Sequence, residues 1–259
     1  MRRGASGPSV KVVIKELDQS SAGDIVALHR RSFPLDVVER SIFHCPQVVE
    51  YIRCLLACPP AVRCDLFFGV LLDARLIGYA QLRHAGDALH LNQIAVDPAY
   101  RGRSVGRLLV DRWFEEARAC SLQRLTLDVE TANQVAWEWY RRLGFTEVNR
   151  KRVYAVRNPP ASSQAFPADV CIVDWAAQEA TYRAFGFSEM TVVWGERTWR
   201  IGRLGEGWLR LSWPVPEWLL QRLSLLFPGR RFLVLSDEPV DLPTASLLAE
   251  TVRLSRDVQ

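Results

Sequence analysis

Two short stretches of this chain hold residue types that could do chemistry together. The first is IAVDPAYRGRSVGRLLV (94–110), where a strand runs into a turn containing Arg101, Gly102, Arg103, Ser104 and Gly106 and then opens a helix. Backbone N–H groups at a helix start, in a turn of small residues, bind anions. Arg101, Arg103 and Arg107 add positive charge at the same place, a combination suited to a pyrophosphate. The turn has no Gly-Lys-Ser/Thr and no GxGxxG, so it is neither a Walker loop nor a dinucleotide fingerprint. Read alone, it is better taken as a basic surface turn. The second stretch is NQVAWEWYRRLGF (133–145), in which Asn133, Ala136, Trp137 and Tyr140 recur at i, i+3, i+4 and i+7 on one helix face. A small alanine admits a ligand chain, an asparagine amide can bond an amide-bearing ligand, and a tyrosine hydroxyl can donate a proton. The competing reading of Tyr140 is a core residue at an interface.

Other side chains are less telling. Asp128 and Glu130 share one face of a strand by its two-residue period. His90 and Asn92 share a face with Ile94, and a water held by Asn92 or Gln93 is an alternative proton relay. His44 and His84 fall in or near loops. Six cysteines occur, at 45, 54, 58, 64, 120 and 171. Their spacing matches no CxxC pair, so no metal site is expected. Cys54 and Cys58 read as buried neighbours on one helix face, and the thiols as reduced and cytoplasmic.

The elements that must position these groups follow from hydrophobic periodicity. After a lead of about nine residues, strands are expected at 10–17, 65–72, 75–83, 88–96 and 122–130. The pair 65–72 and 75–83 forms a hairpin at Asp73-Ala74. Helices are expected to about Phe33, over 46–57, over 105–119 and over 133–143. In the third of these, Val105, Leu108, Leu109, Trp113, Phe114 and Ala117 make one apolar stripe. Two further strands, FTEV and RKRVYAV, close this part. The order β α α β β β α β α β β implies an α/β (α+β) fold with helices on both faces of a sheet.

NPPASSQAFP reads as a linker, dividing the chain into 1–157, 158–167 and 168–259. The last part reads β α β β β α β α and ends in a helix at LPTASLLAETVRLSR. It is a smaller α+β domain, either a degenerate repeat of the first or an unrelated cap or dimerisation domain. YRAFGFSEM (182–190) echoes YRRLGFTEV (140–148). Its turn SWPVPEW (212–218) has no glycine or arginine, and its two prolines lack N–H groups. Its tryptophans at 194, 199, 208, 213 and 218 read as core packing rather than a ligand cage.

The 259 residues are 49% hydrophobic and 24% charged, which fits a globular protein and excludes disorder. No apolar run is long enough for a membrane span, and MRRGASGPSV has no secretory h-region. A net charge of +4 suits an anionic cofactor but is too weak to argue for nucleic acid. Lysine occurs only at 11, 15 and 151, so phosphate contacts would fall to arginine forks.

Together the two stretches resemble the acetyl-CoA signature of GNAT-type N-acetyltransferases. The family pattern is Arg/Gln-x-x-Gly-x-Gly/Ala in the turn and Asn-x-x-Ala-x-x-x-Tyr-x-x-x-Gly-Phe in the later helix. This chain supplies Arg101, Gly106, Asn133, Ala136, Tyr140, Gly144 and Phe145, and departs at Ser104, where the family usually has glycine. The resemblance covers about 10–157. It implies the acyl-CoA N-acyltransferase fold, a mixed and mostly antiparallel sheet. It also implies transfer of acetyl from acetyl-CoA to a primary amine by direct attack in a ternary complex. In that reading Ile94, Ala95 and Val96 offer backbone groups to the pantetheine arm. Arg101, Gly102, Arg103, Ser104, Val105, Gly106 and Arg107 hold the pyrophosphate, and Asn133 and Ala136 line the arm. Tyr140 protonates the thiolate, and Glu130 and Asp128 together serve as base. The expected partner is a small-molecule or peptide amine, with no metal, nucleic acid or membrane, and a homodimer is left open. The alternative from another class is a non-catalytic acyl-CoA sensor. O-acyl transfer and longer acyl chains have no discriminator in the sequence.

Overall fold

The computed structural model describes residues 12–157 and 169–258. The lead before residue 10 and the linker at 158–167 lie outside the described residues. The chain divides into two compact units. One takes the residues up to Pro34, Val49–Thr126 and the end of the chain from Asp257; the other takes Leu35–Val48 and Leu127–Arg256.

In the first unit, β1 (Val12–Glu16), β2 (Asp65–Leu72), β3 (Arg75–Ala85) and β4 (Ala88–Val96) form an antiparallel sheet in that order. The hairpin turns through Asp73 and Ala74, both with positive φ. Helix α1 (Ala22–Ser32) buries Ile25, Val26, Leu28 and His29. Helix α4 (Val105–Ala119) has the expected bounds and buries Val105, Leu109, Val110, Trp113, Phe114 and Ala117. Leu108, expected in that stripe, is exposed at 38% while Val110 is fully buried, so the inward face is rotated towards Val110. Alternation along β3 aims Gly78 at α4 and Tyr79 at His29 of α1, so the two helices cover opposite faces. Helix α3 (Val48–Ala57) turns Val48 and Ile52 inward. This leaves Cys54 exposed and places half-buried Cys58 beyond the helix, against the expectation that both are buried.

The second unit opens with α2 (Leu35–Glu39), which the sequence reading left without an element. The chain passes between units inside β5 (Arg124–Glu130), and α5 (Gln134–Arg142) follows. FTEV and RKRVYAV are one strand, β6 (Thr146–Val156). Then come β7 (Cys171–Val173), α6 (Trp175–Phe185), β8 (Phe187–Trp194), β9 (Arg197–Leu204), β10 (Trp208–Ser212), α7 (Glu217–Leu226) and β11 (Arg231–Ser236). β10 and β11 are parallel around α7, and β7 to β10 are antiparallel. The expected last helix is instead a strand, β12 (Ala245–Asp257), paired antiparallel with β6, whose other edge pairs with β11. Its first half has helix-forming Ala, Leu and Glu. From Glu250 on, however, Val252 and Leu254 are buried and Arg253 between them is exposed, the two-residue period of a strand. Pairing along β6 prevails over local propensity.

The core of this unit packs α7 residues Trp218, Leu219, Leu220 and Leu223 against β6 and β8 to β11. Trp194 and Trp199 meet Trp218 edge-on, at 5.4 and 5.9 Å between ring centroids, so these tryptophans pack the core. The run β7-α6-β8-β9-β10-α7-β11 repeats the element order of β1-α1-β2-β3-β4-α4-β5 if α2 and α3 are set aside.

Candidate active site

In the first unit, β4 presents Ile94, Ala95 and Val96 in register with Ala80, Tyr79 and Gly78 of β3. Asp97 then ends the strand. Its carboxylate is buried, accepts from Ala99 N at 3.0 Å, and bridges Arg31 and Arg75, each at 3.1 Å. Burial alone would push this carboxyl up. The Ala99 bond, Arg31 and Arg75 outweigh it and hold the group below the ordinary aspartate value. Gly78 fixes the other side. A Cβ there would stand 2.6 Å from Val105 Cγ1, so only glycine lets the first residue of α4 approach β3 this closely. Sequence reasoning missed both the Asp97 hub and the role of Gly78, although a glycine inside a strand is itself a signal of close approach.

Between these anchors the turn runs through Gly102 at φ +73° and Ser104 at φ +61°. The left-handed position explains why glycine is usual at 104; serine holds it at a cost of about 1 kcal/mol. Ser104 makes no side-chain cap, and the N–H groups of Val105, Gly106 and Arg107 have no acceptor within the helix. Nothing lies within 4 Å of where a Gly102 Cβ would be, so the turn is open to a ligand. Arg101 donates to Ser32 O at 2.6 Å, Arg103 lies over the Tyr100 ring at 5.6 Å, and Arg107 pairs with Asp111 at 2.7 Å. Arg101, Gly102, Arg103 and Ser104 thus form an exposed turn, Val105 is buried as the first residue of α4, and Gly106 and the exposed Arg107 follow it in the helix, with the arginines held by surface contacts.

In the second unit, Asn133 is not inside the helix but its N-cap. Its side-chain oxygen accepts from Ala136 N at 3.2 Å, which leaves the amide NH2 as the donor. At the other end Gly144 takes φ +85°, and Arg256 donates to Leu143 O at 2.6 Å. These two caps fix α5 and so Tyr140, whose ring is buried edge-on to Phe145 at 5.9 Å. Burial pushes the Tyr140 phenol well above its ordinary value, so it stays protonated at neutral pH.

The two carboxylates of β5 differ. Asp128 is bound through both oxygens by Arg253, at 2.8 and 2.7 Å. Glu130 faces Arg40 at 3.6 Å, beyond hydrogen-bond range. The other polar candidates are taken up in structure. Asn92 donates to Gln81 at 2.9 Å, Gln81 donates to Asp65 at 2.7 Å, and His90 bonds Thr126 at 3.0 Å. His44 is exposed and approaches Gly205. Among the described residues no helix is long and apolar enough to cross a membrane.

The sequence model of the Acetyltransferase (GNAT) family matches residues 31–145. The N-alpha-acetyltransferase RimI of Mycobacterium tuberculosis is 34% identical over 100 residues, which cover 37% of this chain and 61% of that protein. The ribosomal protein bS18-alanine N-acetyltransferase of Salmonella typhimurium is 33% identical over 82 residues, 32% of this chain and 55% of that protein. The chain spans 26% to 61% of the length of the first curated relatives it matches. A tandem GNAT protein from the clavulanic acid biosynthesis pathway superposes over 96% of this chain and 99% of its own, with TM-score 0.66 and 15% identity. A GCN5-related N-acetyltransferase from Sphaerobacter thermophilus covers 96% of each chain, with TM-score 0.62 and 14% identity. At these identities the likeness is one of fold, and it extends over 96% of this chain.

Proposed function

Residues 31–145 match the model of the Acetyltransferase (GNAT) family, and from that match we propose that the chain is an acyltransferase that moves acetyl from acetyl-CoA to a primary amine. In this reading 1–157 is the acetyltransferase domain, and 168–259, after the linker 158–167, is a repeat that has lost cofactor binding. The observation that carries the proposal is the open turn at 101–107, with its unsatisfied N–H groups and three arginines, together with a protonated buried tyrosine on a separately capped helix.

The residues present fit acetyl-CoA. When bound, it supplies an acetyl group already activated as a thioester. The N–H groups and arginines of 101–107 hold the pyrophosphate. The backbone of Ile94, Ala95 and Val96 bonds the amide-bearing arm, which the free amide of Asn133 orients and Ala136 leaves room for. Tyr140 donates its proton to the departing thiolate. A thiol titrates near 8.5, so this proton helps the reaction without being indispensable. Of the two carboxylates, Glu130 is held only by the longer ion pair to Arg40, and it takes a proton from the acceptor's ammonium so that the free amine can attack; Asp128 orients this strand end through Arg253. The acetyltransferases similar to this chain include one named for the alanine of a ribosomal protein, so peptides with an N-terminal alanine belong in the first acceptor panel.

The test is Tyr140→Phe, which keeps the ring against Phe145 and removes the proton. CoA release with the best amine of that panel should fall about ten- to a hundredfold, with CoA affinity unchanged. Normal turnover in the variant would make Tyr140 a packing residue. Binding of acetyl-CoA with no CoA release from any amine would instead mark a non-catalytic sensor.

A further inference from the structure

Within the first unit, a line of hydrogen bonds crosses β2, β3 and β4, and its polarity is set from one end. Asp65 on β2 is paired with Arg83 of β3 at 3.0 Å. A carboxylate can only accept, so Gln81 of β3 must turn its amide NH2 towards it, and does so at 2.7 Å. Gln81 is buried, and its remaining carbonyl oxygen receives the NH2 of Asn92 at 2.9 Å. Asn92 therefore has its own carbonyl oxygen turned away from Gln81. Among the described residues nothing donates to that oxygen.

The place of Asn92 in the strand is equally specific. Gln81 and Leu82 follow each other on β3, but their partners on β4 are Gln93 and Leu91. Asn92 is the extra residue of a β-bulge, a device that re-aims a side chain. It lies on the face of Gln81, whereas Ile94 pairs with Ala80 on the other, so the face that simple alternation would have Asn92 share with Ile94 is not kept. A pyrophosphate held at 101–107 lies beyond the C-terminal end of β4, and the arm attached to it runs back along Val96, Ala95 and Ile94. The reactive end of that arm then comes beside the residues just before Ile94, where Asn92 stands.

We propose that Asn92 binds the acceptor's amine: its carbonyl oxygen accepts an N–H from the nitrogen that attacks, and Gln81 and Asp65 are positioning residues that keep this oxygen outward. The inference rests on the acetyltransferase reading and adds to it the group that holds the amine. A primary amine keeps N–H groups after its ammonium has lost a proton, so the contact lasts from binding through attack. Its loss therefore appears in KM and not in kcat.

The experiment uses the full chain, acetyl-CoA and the amine of the acceptor panel that turns over fastest, with CoA affinity by calorimetry as the check on folding. Asn92→Leu keeps the side chain's size and removes the oxygen. KM for the amine should rise about tenfold or more, the size of one charge-assisted contact, with kcat and CoA affinity nearly unchanged. Asp65→Asn can donate to Gln81 and so turn both amides round, presenting NH2 groups to the amine. It should raise KM in the single variant and add nothing beside Asn92→Leu, because it acts through Asn92. If Asn92→Leu loses CoA binding, the KM of Asp65→Asn decides alone. An unchanged KM in either variant that binds CoA, or an Asp65→Asn effect that persists in full beside Asn92→Leu, would overturn the contact and leave the transferase reading standing. No CoA release from any amine in the unsubstituted protein would instead remove that reading, and this contact with it.

Discussion

The molecule contains the same crossover twice, a strand, a turn and a helix packed on the sheet, and the two turns are built in opposite ways. After β4 the turn is anchored by a buried charge, Asp97, tied to Arg31 and Arg75, and it leaves glycine and backbone N–H groups facing outward. After β10 the turn is anchored by Val215, buried in the hydrophobic cluster under α7, and Pro214 and Pro216 remove two N–H groups. Both helices bury an apolar face, α4 through Leu109, Val110 and Trp113 and α7 through Trp218, Leu219 and Leu220. The crossover therefore forms with either turn, and the two differ in the backbone N–H donors they offer at the helix start.

The largest expected effect comes from giving the first turn a constraint like that of the second. Gly102→Val forces a β-branched residue to φ +73°, which it does not adopt, and places its side chain in the open cradle. Calorimetry should show CoA affinity falling by more than about a hundredfold, since strain of roughly 1–3 kcal/mol adds to lost contacts; retained affinity would mean the turn does not bind it. Substituting Arg101→Ala and Arg103→Ala together leaves the backbone donors in place, and should weaken CoA at least about tenfold. If affinity is unchanged, the guanidiniums are surface decoration.

A smaller effect separates the units by pH. His29 is buried against Tyr79 at 2.7 Å, and burial, aided by Arg30, lowers its pKa from 6.5 to about 3. The unfolded chain then takes up the proton first. The stability contributed is present above about pH 6.5 and is lost as pH falls towards 3. Unfolding of the first unit should lose about 1.4 kcal/mol between pH 7.5 and 5.5. A urea midpoint with no acid dependence in that range would show His29 to be accessible in the native state.

Much of this was legible in the sequence because it is local. The bounds of α4 follow from the apolar stripe, and those of α5 nearly so, from Asn133 to Gly144. What was not legible depends on partners far along the chain. β12 has helix-forming residues and becomes a strand because β6 offers it an edge. Asn133 reads as a ligand-facing residue, yet its oxygen is spent on the cap. Asp128 reads as a base, and only the fold brings Arg253 to it from 125 residues away.

The central claim is that one turn of the two binds the cofactor. Isothermal titration of the full chain with acetyl-CoA tests it most directly, beside Gly102→Val and Pro216→Ala variants. The account gives one site per chain, lost in the first variant and kept in the second. Two sites per chain, or a single site that survives Gly102→Val, would contradict it.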